Sequence, residues 1–320
     1  MNLEKPWSYR DKFPITYYYR DNINRIILTE GFLTHNINWL SKIRDNDFVL
    51  CFSPCHFNID LLKMELEVLR EYNLNKDRIY FLLGTKQDVE LCNTNGINAD
   101  FINHNAFLDE NLFSLKSCDK IYDAILISRF LKLKRPFLAS KIDNLCVLSS
   151  DMGDKTKDNF FDLTSLTPKY LGVKLGKEEV FDKISESYCG LFLSEKEGAC
   201  FASSETLLCG IPVVSTPSEG GRDVWYNEFN SIISNDNEDS VKLAVETVKE
   251  KVENGFFNNK FIRESHISLA LRFRTSFVNL TERIFDEIKI KVNVLDYFNF
   301  NFHHKMYQNY QNKELLDSVL

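Results

Sequence analysis

Two glutamates eight positions apart, Glu197 and Glu205, carry the strongest chemical signal in this chain. They lie within SEKEGACFASSETLLCGIPVVSTPSEGGRDVW, residues 194–225. A strand-like run (CGLFLSE) ends on the first acid, and a short small-residue helix (ACFASSETLLCG) contains the second. The first carboxylate is therefore expected at the carboxyl edge of a parallel sheet, the second one to two helical turns further along. Between them, after Gly198, the amides near Ala199, Cys200 and Phe201 stand at a helix N-terminus, a ready anion site. Two hydroxyl-accepting acids around a phosphate-binding helix start suit a sugar nucleotide. An apolar strand, IPVVSTP, and the Gly220–Gly221 turn follow. A loop of that kind approaches a ligand where a Cβ would obstruct.

The surrounding elements must present these residues on a scaffold. Strand patterns alternate with helical ones, which predicts parallel α/β architecture. DFVLCFSP, RIYFLLGT, the start of NADFINHNAFLDENLF, YDAILISR, NLCVLSS, CGLFLS, IPVVST and NSIIS read as strands. IDLLKMELEVLREYNL, KQDVELCNTNG (closed by Gly96), KRPFLASKID, EEVFDKISESY and a long segment after Asn237 read as helices. A polar turn over 105–118 is the natural boundary. The expected division is 1–115 as a first lobe, 116–290 as a second, and 291–320 as a tail packing across the lobes.

Composition bounds the class. At 320 residues with 44% hydrophobic and 27% charged content, the chain has the make-up of a globular protein of about two domains. A net charge of −7 argues against a general nucleic-acid binder. MNLEKPWSYRDKF puts charges and a Pro where a signal peptide needs an apolar core, and no apolar run reaches spanning length. The expectation is a cytoplasmic chain, or one held peripherally to a membrane. The eight cysteines form no C-x-x-C pair and read as small hydrophobes. Cys51, Cys55 and His56 lack the second ligand pair that a zinc site needs, so no metal is expected.

Residues 120–255 resemble the retaining glycosyltransferases of the GT-B fold that carry an E-x7-E signature, the glycosyl transferases group 1 superfamily. Their pattern E-G-F-G-x-x-x-x-E-A-x-x-x-G-x-P-V-V-x-[ST]-x-x-G-G is matched by Glu197, Gly198, Glu205, Gly210, Pro212, Val213, Val214, Thr216, Gly220 and Gly221. The upstream G-R-x-x-x-x-K is matched by Arg129 and Lys134, and N-x-x-x-D-x-x-x-F is echoed by Asn105, Asp109 and Phe113. Departures are Cys200 at a glycine position, Thr206 at an alanine position and Ser128 before the arginine. The first lobe is short and lacks the familiar Gly-rich loop after its first strand.

The resemblance implies two Rossmann-like lobes facing a cleft, with the N-terminal lobe reduced. It implies transfer of a hexose-like sugar, with retention, from a nucleoside diphosphate donor to a glycan, glycolipid or similar acceptor, and no metal or other cofactor. Glu205 would accept both ribose hydroxyls, since a carboxylate suits a vicinal diol. Glu197 would hold the donor sugar. Arg129 and Lys134 would clamp the pyrophosphate and stabilise charge on the leaving group; Lys132 and Arg135, adjacent to Lys134, compete for its role. His56, after the strand end CFSPCHFN, would line the cleft or serve only as a structural histidine; His35 is a second candidate of the same kind. Two other readings stay open: a non-catalytic pair of lobes that binds a sugar nucleotide, and an epimerase acting on the sugar nucleotide itself.

Overall fold

In a computed structural model describing residues 15–52 and 56–301, the chain divides into two units. One takes the described chain up to Phe107 and again from Ala270; the other runs Leu108–Leu269. The readings that concern the first fourteen residues, Cys55 and the tail beyond 301 lie outside the described residues.

The first unit is built on a five-stranded sheet, β1 (Ile15–Arg20), β2 (Arg25–Glu30), β3 (Phe48–Phe52), β4 (Ile79–Leu83) and β5 (Asn98–Phe101), ordered as in the sequence. β1 pairs antiparallel with β2, and β2 to β5 are mutually parallel. The sequence reading contains neither β1 nor β2, nor the strand Tyr170–Val173 of the second unit. The β1–β2 hairpin turns on Asp21, whose carboxylate accepts from the amides of Ile23 and Asn24, both at 2.6 Å.

A parallel sheet that always steps in one direction with right-handed crossovers places its helices on one face. Those helices are α1 (Ile37–Leu40), α2 (Ile59–Glu71) and α3 (Lys86–Thr94). Val49 and Cys51 of β3 pack there with Leu61, Leu62 and Val68 of α2. Asn58 caps α2 by accepting from the Leu61 amide at 2.9 Å, and Gly96, at φ +75°, ends α3. Aromatic residues from the C-terminal segment also join this unit. Phe277 lies 5.8 Å from Phe52, centroid to centroid, and 5.5 Å from Tyr18. They belong to α7 (Asn259–Glu287), of which the part from Ala270 joins this unit, and are followed by α8 (Val294–Asn301).

The second unit has a six-stranded sheet ordered β11-β10-β9-β6-β7-β8, with every pairing parallel. Its strands are β6 (Ala124–Ile127), β7 (Leu145–Ser149), β8 (Tyr170–Val173), β9 (Gly190–Phe192), β10 (Val213–Ser215) and β11 (Ser231–Ile233). The central strands are nearly continuous apolar runs, as burial on both faces demands. α4 (Lys177–Ser185), α5 (Phe201–Leu208), α6 (Glu238–Glu253) and the start of α7 complete it. The helix expected over KRPFLASKID is instead two 3-10 turns, Lys132–Lys134 and Pro136–Ala139. Proline disfavours the helical region for the residue before it, and Arg135 takes the left-handed region instead, at φ +48°, so no helix runs through it. Among the described residues, no helix is long and apolar enough to cross a membrane.

Candidate active site

The chain order of the second sheet reverses between β6 and β9, which lie side by side. In open α/β sheets such a switch point opens a crevice at the carboxyl ends of the strands. Arg129 leaves that end of β6, and the loop carrying Glu197 leaves that end of β9. The strand itself stops at Phe192, so Glu197 lies in the following loop and not at a strand end. That loop is fixed by its neighbour: the Glu197 amide donates to the Glu219 carbonyl at 2.9 Å, and the Glu219 amide to the Glu195 carbonyl at 2.8 Å. The Gly220–Gly221 turn thus runs directly beside the Glu197 loop.

Lys134 forms an ion pair with Glu197, the two side chains being 17% and 14% exposed. The three cations of KLKR are thereby sorted. Lys132 donates to the Asp158 carbonyl at 2.8 Å on the surface. Arg135 is a fastener, bonded to the Leu193 carbonyl and to Thr216 Oγ1, both at 2.6 Å, and paired with Asp236 at 2.9 Å. Lys134 alone reaches the candidate acid. Burial by itself would raise the Glu197 carboxyl, but Lys134, with help from Ser194 and Arg222, outweighs it and holds the group below its ordinary value. Burial lowers the Arg129 guanidinium, while the charges of Glu197 and Asp151 act in the opposite direction. Glu197, Lys134 and Arg129 are therefore one electrostatic cluster at the switch point.

Cys200, where the family pattern has glycine, takes the left-handed conformation (φ +52°) and stands as the N-cap of α5. That is the conformation a glycine adopts without penalty. Its thiol is pushed up to about 12 by burial first and by the Glu197 charge second, so it stays protonated at neutral pH. Gly198 and Ala199 are buried beneath this turn, and Phe201 opens the helix. Glu205, in the second turn of α5, is 8% exposed, and its charge raises the Cys209 thiol in addition to burial. Gly210 of the pattern and Gly190 of β9 have steric reasons. A Cβ on Gly210, at φ +72°, would lie 2.5 Å from the Asn259 carbonyl oxygen, and one on Gly190 would meet Thr206 at 2.9 Å.

The cluster is held by a residue to which the sequence reading gave no role. Arg222, directly after the Gly pair, is fully buried. Its guanidinium donates to the carbonyls of Phe192 (2.9 Å), Ser194 (3.1 Å) and Thr216 (2.7 Å), and to Asp223 Oδ1 (2.8 Å). Asp223 in turn accepts from the Ser218 amide at 3.0 Å. No periodicity marks Arg222 as buried; the adjacent Asp223 is the only hint of a paired charge.

His56 belongs to the first unit, half-buried in the segment leading into α2. It is close enough to Asp88 for its charge to lower that carboxyl against the dominant effect of burial. His35 accepts from the Phe32 amide through Nδ1 at 3.1 Å, and burial lowers it to about 4, so it is a neutral structural residue. Cys51 is fully buried in β3 and burial holds its thiol protonated. Among the described residues there is no group of three or more His, Cys, Asp or Glu that would hold a metal ion.

No family model matches the sequence, and no curated protein matches it. Solved structures do match the fold. Sucrose-phosphate synthase from Thermosynechococcus elongatus superposes with a TM-score of 0.62 at 14% identity, over 82% of this chain and 74% of that one. HepE from Anabaena, in complex with UDP, gives 0.56 at 12% identity over 74% and 72% of the two chains. TarM, from S. aureus, gives 0.55 at 15% identity over 78% of this chain and 58% of its own. At such identities the shared property is architecture, and on it the chain has the GT-B fold.

Proposed function

We propose that the chain is a retaining glycosyltransferase moving a sugar from a nucleoside diphosphate donor to a glycan, glycolipid or similar acceptor. The observation that carries this reading is the cluster at the switch point: Arg129 after β6, Glu197 after β9, and Lys134 paired with Glu197. The neighbours add support, because the HepE structures hold UDP, UDP with glucose, and UDP-glucose.

In this reading the pyrophosphate enters between Lys134, Arg129 and the N-terminus of α5, where cations and helix dipole favour an anion. Phosphate competes for Lys134, and Glu197 is freed to accept hydroxyls of the donor sugar. Glu205 takes the ribose diol. The bond from the anomeric carbon to the phosphate oxygen breaks, and a bond to the acceptor oxygen forms on the same face. The acceptor proton leaves with the departing phosphate. Charge that develops on that phosphate is met by Lys134 and Arg129, fixed before the reaction, so this route needs no metal. Donor recognition lies with the second unit.

The test is release of nucleoside diphosphate from UDP-, GDP-, ADP- and TDP-sugars in the presence of EDTA, with Glu205→Ala alongside. Release from one donor, lost in the variant, is the expected result. Thermal stabilisation by a nucleotide without any release would point instead to a sugar-nucleotide-binding subunit. Release of free nucleotide with a changed sugar and no acceptor product would point to an epimerase. Neither release nor stabilisation would end the sugar-nucleotide reading of both glutamates.

A further inference from the structure

Three segments carry the candidate donor contacts: the Glu197 loop, the Gly220–Gly221 turn and the first turn of α5. They come from different strand ends, and short loops of this kind drift unless something over-determines them. One side chain is bonded to all three, directly or through a neighbour. Arg222 spans the end of β9 and the chain beyond it through the Phe192 and Ser194 carbonyls, and the end of β10 through Thr216. With Asp223 and the Ser218 amide it closes the segment that contains the Gly pair. Its guanidinium carbon also lies 5.9 Å from the centroid of the Tyr226 ring. The Tyr226 hydroxyl is hydrogen-bonded to Ser203 Oγ at 2.7 Å, and the Ser203 amide donates to the Cys200 carbonyl at 3.0 Å. That last pair forms the first turn of α5, where Cys200 is held in its left-handed conformation.

We propose that Arg222 is the positioning residue of the donor site, a buried hub that fixes the Glu197 loop, the Gly220–Gly221 turn and the start of α5 in one arrangement. It does not touch substrate, since it is fully buried. A guanidinium is suited to this position because its planar fork serves several carbonyls at once, while an ammonium offers a compact point charge. A buried arginine is costly unless its donors are matched, and here three carbonyls and a carboxylate match them. The same charge acts on Glu197, adding to the pull of Lys134 that keeps the carboxyl ionised. A purely structural arginine would stabilise the fold and leave both the ionisation of Glu197 and nucleotide affinity untouched.

The proposal rests in part on the glycosyltransferase reading, so its test has one readout that does not. Carboxyl-carbon NMR with 13C-labelled glutamate follows the Glu197 titration, assigned with Glu197→Gln. Isothermal titration with UDP follows the donor site. In Arg222→Met, folded by circular dichroism, the Glu197 titration should move to higher pH and UDP affinity should fall by about tenfold or more, the scale of a lost charged hydrogen-bond set. Arg222→Lys should restore part of the titration shift and little of the affinity, because it returns the charge without the fork. Tyr226→Phe, which breaks only the link to Ser203, should weaken UDP severalfold and leave Glu197 where it is. If Arg222→Met does not fold, Arg222→Lys and Tyr226→Phe decide by the same two readouts. Folded Arg222 variants with wild-type titration and wild-type UDP binding would overturn the hub. If the wild-type chain binds no UDP, the choice of donor in the functional reading is at fault, and the Glu197 titration alone decides the role of Arg222.

Discussion

Glu65 in the first unit and Glu197 in the second are both largely withdrawn from solvent, and the two are treated in opposite ways. Glu65, on α2 of the first unit, is completely buried. It accepts from the amides of Leu33 (2.9 Å) and Thr34 (3.2 Å) and from the Thr34 hydroxyl, all neutral donors. Burial raises it to about 7, against the opposing pull of those hydrogen bonds. Glu197, in the second unit, is also largely buried, yet Lys134 and the nearby Arg222 hold it low. Neutral donors can position a carboxylate but do not balance its charge, whereas a cation does both. Glu65 is thus a brace for the 3-10 turn Leu33–Asn36. Glu197 stays charged at neutral pH.

The largest expected effect comes from breaking the charged member of this comparison. Glu197→Gln should lower turnover in the donor assay by about 10²–10³-fold, the usual consequence of removing one fixed electrostatic contact to a transition state. Lys134→Met should cost about 3 kcal/mol of stability at pH 7, because it leaves a carboxylate largely buried without its partner. The double variant Lys134→Met/Glu197→Gln should recover much of that loss in urea unfolding. A double variant no more stable than Lys134→Met alone would contradict the pairing.

The neutral member makes an opposite pH prediction. The folded-state value of Glu65 is raised from 4.5 to about 7, so its contribution is fully present below about pH 4.5 and is lost as pH rises through about 7. Between pH 5 and pH 8 the wild type should therefore lose about 2–3 kcal/mol that Glu65→Gln does not lose. Urea midpoints across that window check it, and parallel curves would dismiss it. Glu197 has the reverse sign: its contribution is present above the unfolded value and is lost as pH falls through the lowered folded value.

The smallest effect sharpens the picture of the site. Cys200→Gly should stabilise the second unit by about 1 kcal/mol, since the backbone there is already at φ +52°. Differential scanning calorimetry should show a rise of a few degrees, and a fall would mean that the Cys200 side chain packs more favourably than its backbone strain costs.

Much of the second unit was legible beforehand. Its strands are short apolar runs between polar breaks, and the resemblance supplied the order in which Arg129, Lys134, Glu197, Glu205 and the Gly pair occur. The edge of the first sheet was not legible: ITYYYR and RIILTE carry no turn signal stronger than Asp21, and their pairing is made by the sheet. KRPFLASKID has apolar residues spaced like those of a helix, but Arg135, before Pro136, is in the left-handed region and interrupts it. The expected location of Glu197 at a strand end was close in space and wrong in element, because β9 ends at Phe192.

Local periodicity and short-range spacing encode the α/β class, most elements between β3 and α6 and the residue types at the site, but they reveal neither β8 (Tyr170–Val173) nor the turns around Pro136. The sequence left Lys132, Lys134 and Arg135 interchangeable, and it said nothing of Arg222 or Glu65. That Lys134 meets Glu197, that Arg135 and Arg222 fasten strand ends, and that Glu65 is braced while Glu197 is paired emerge from the folded chain alone. The reason is physical. The charge state and role of a buried group depend on partners distant in sequence, such as the 63 positions between Lys134 and Glu197, and no local pattern records those encounters.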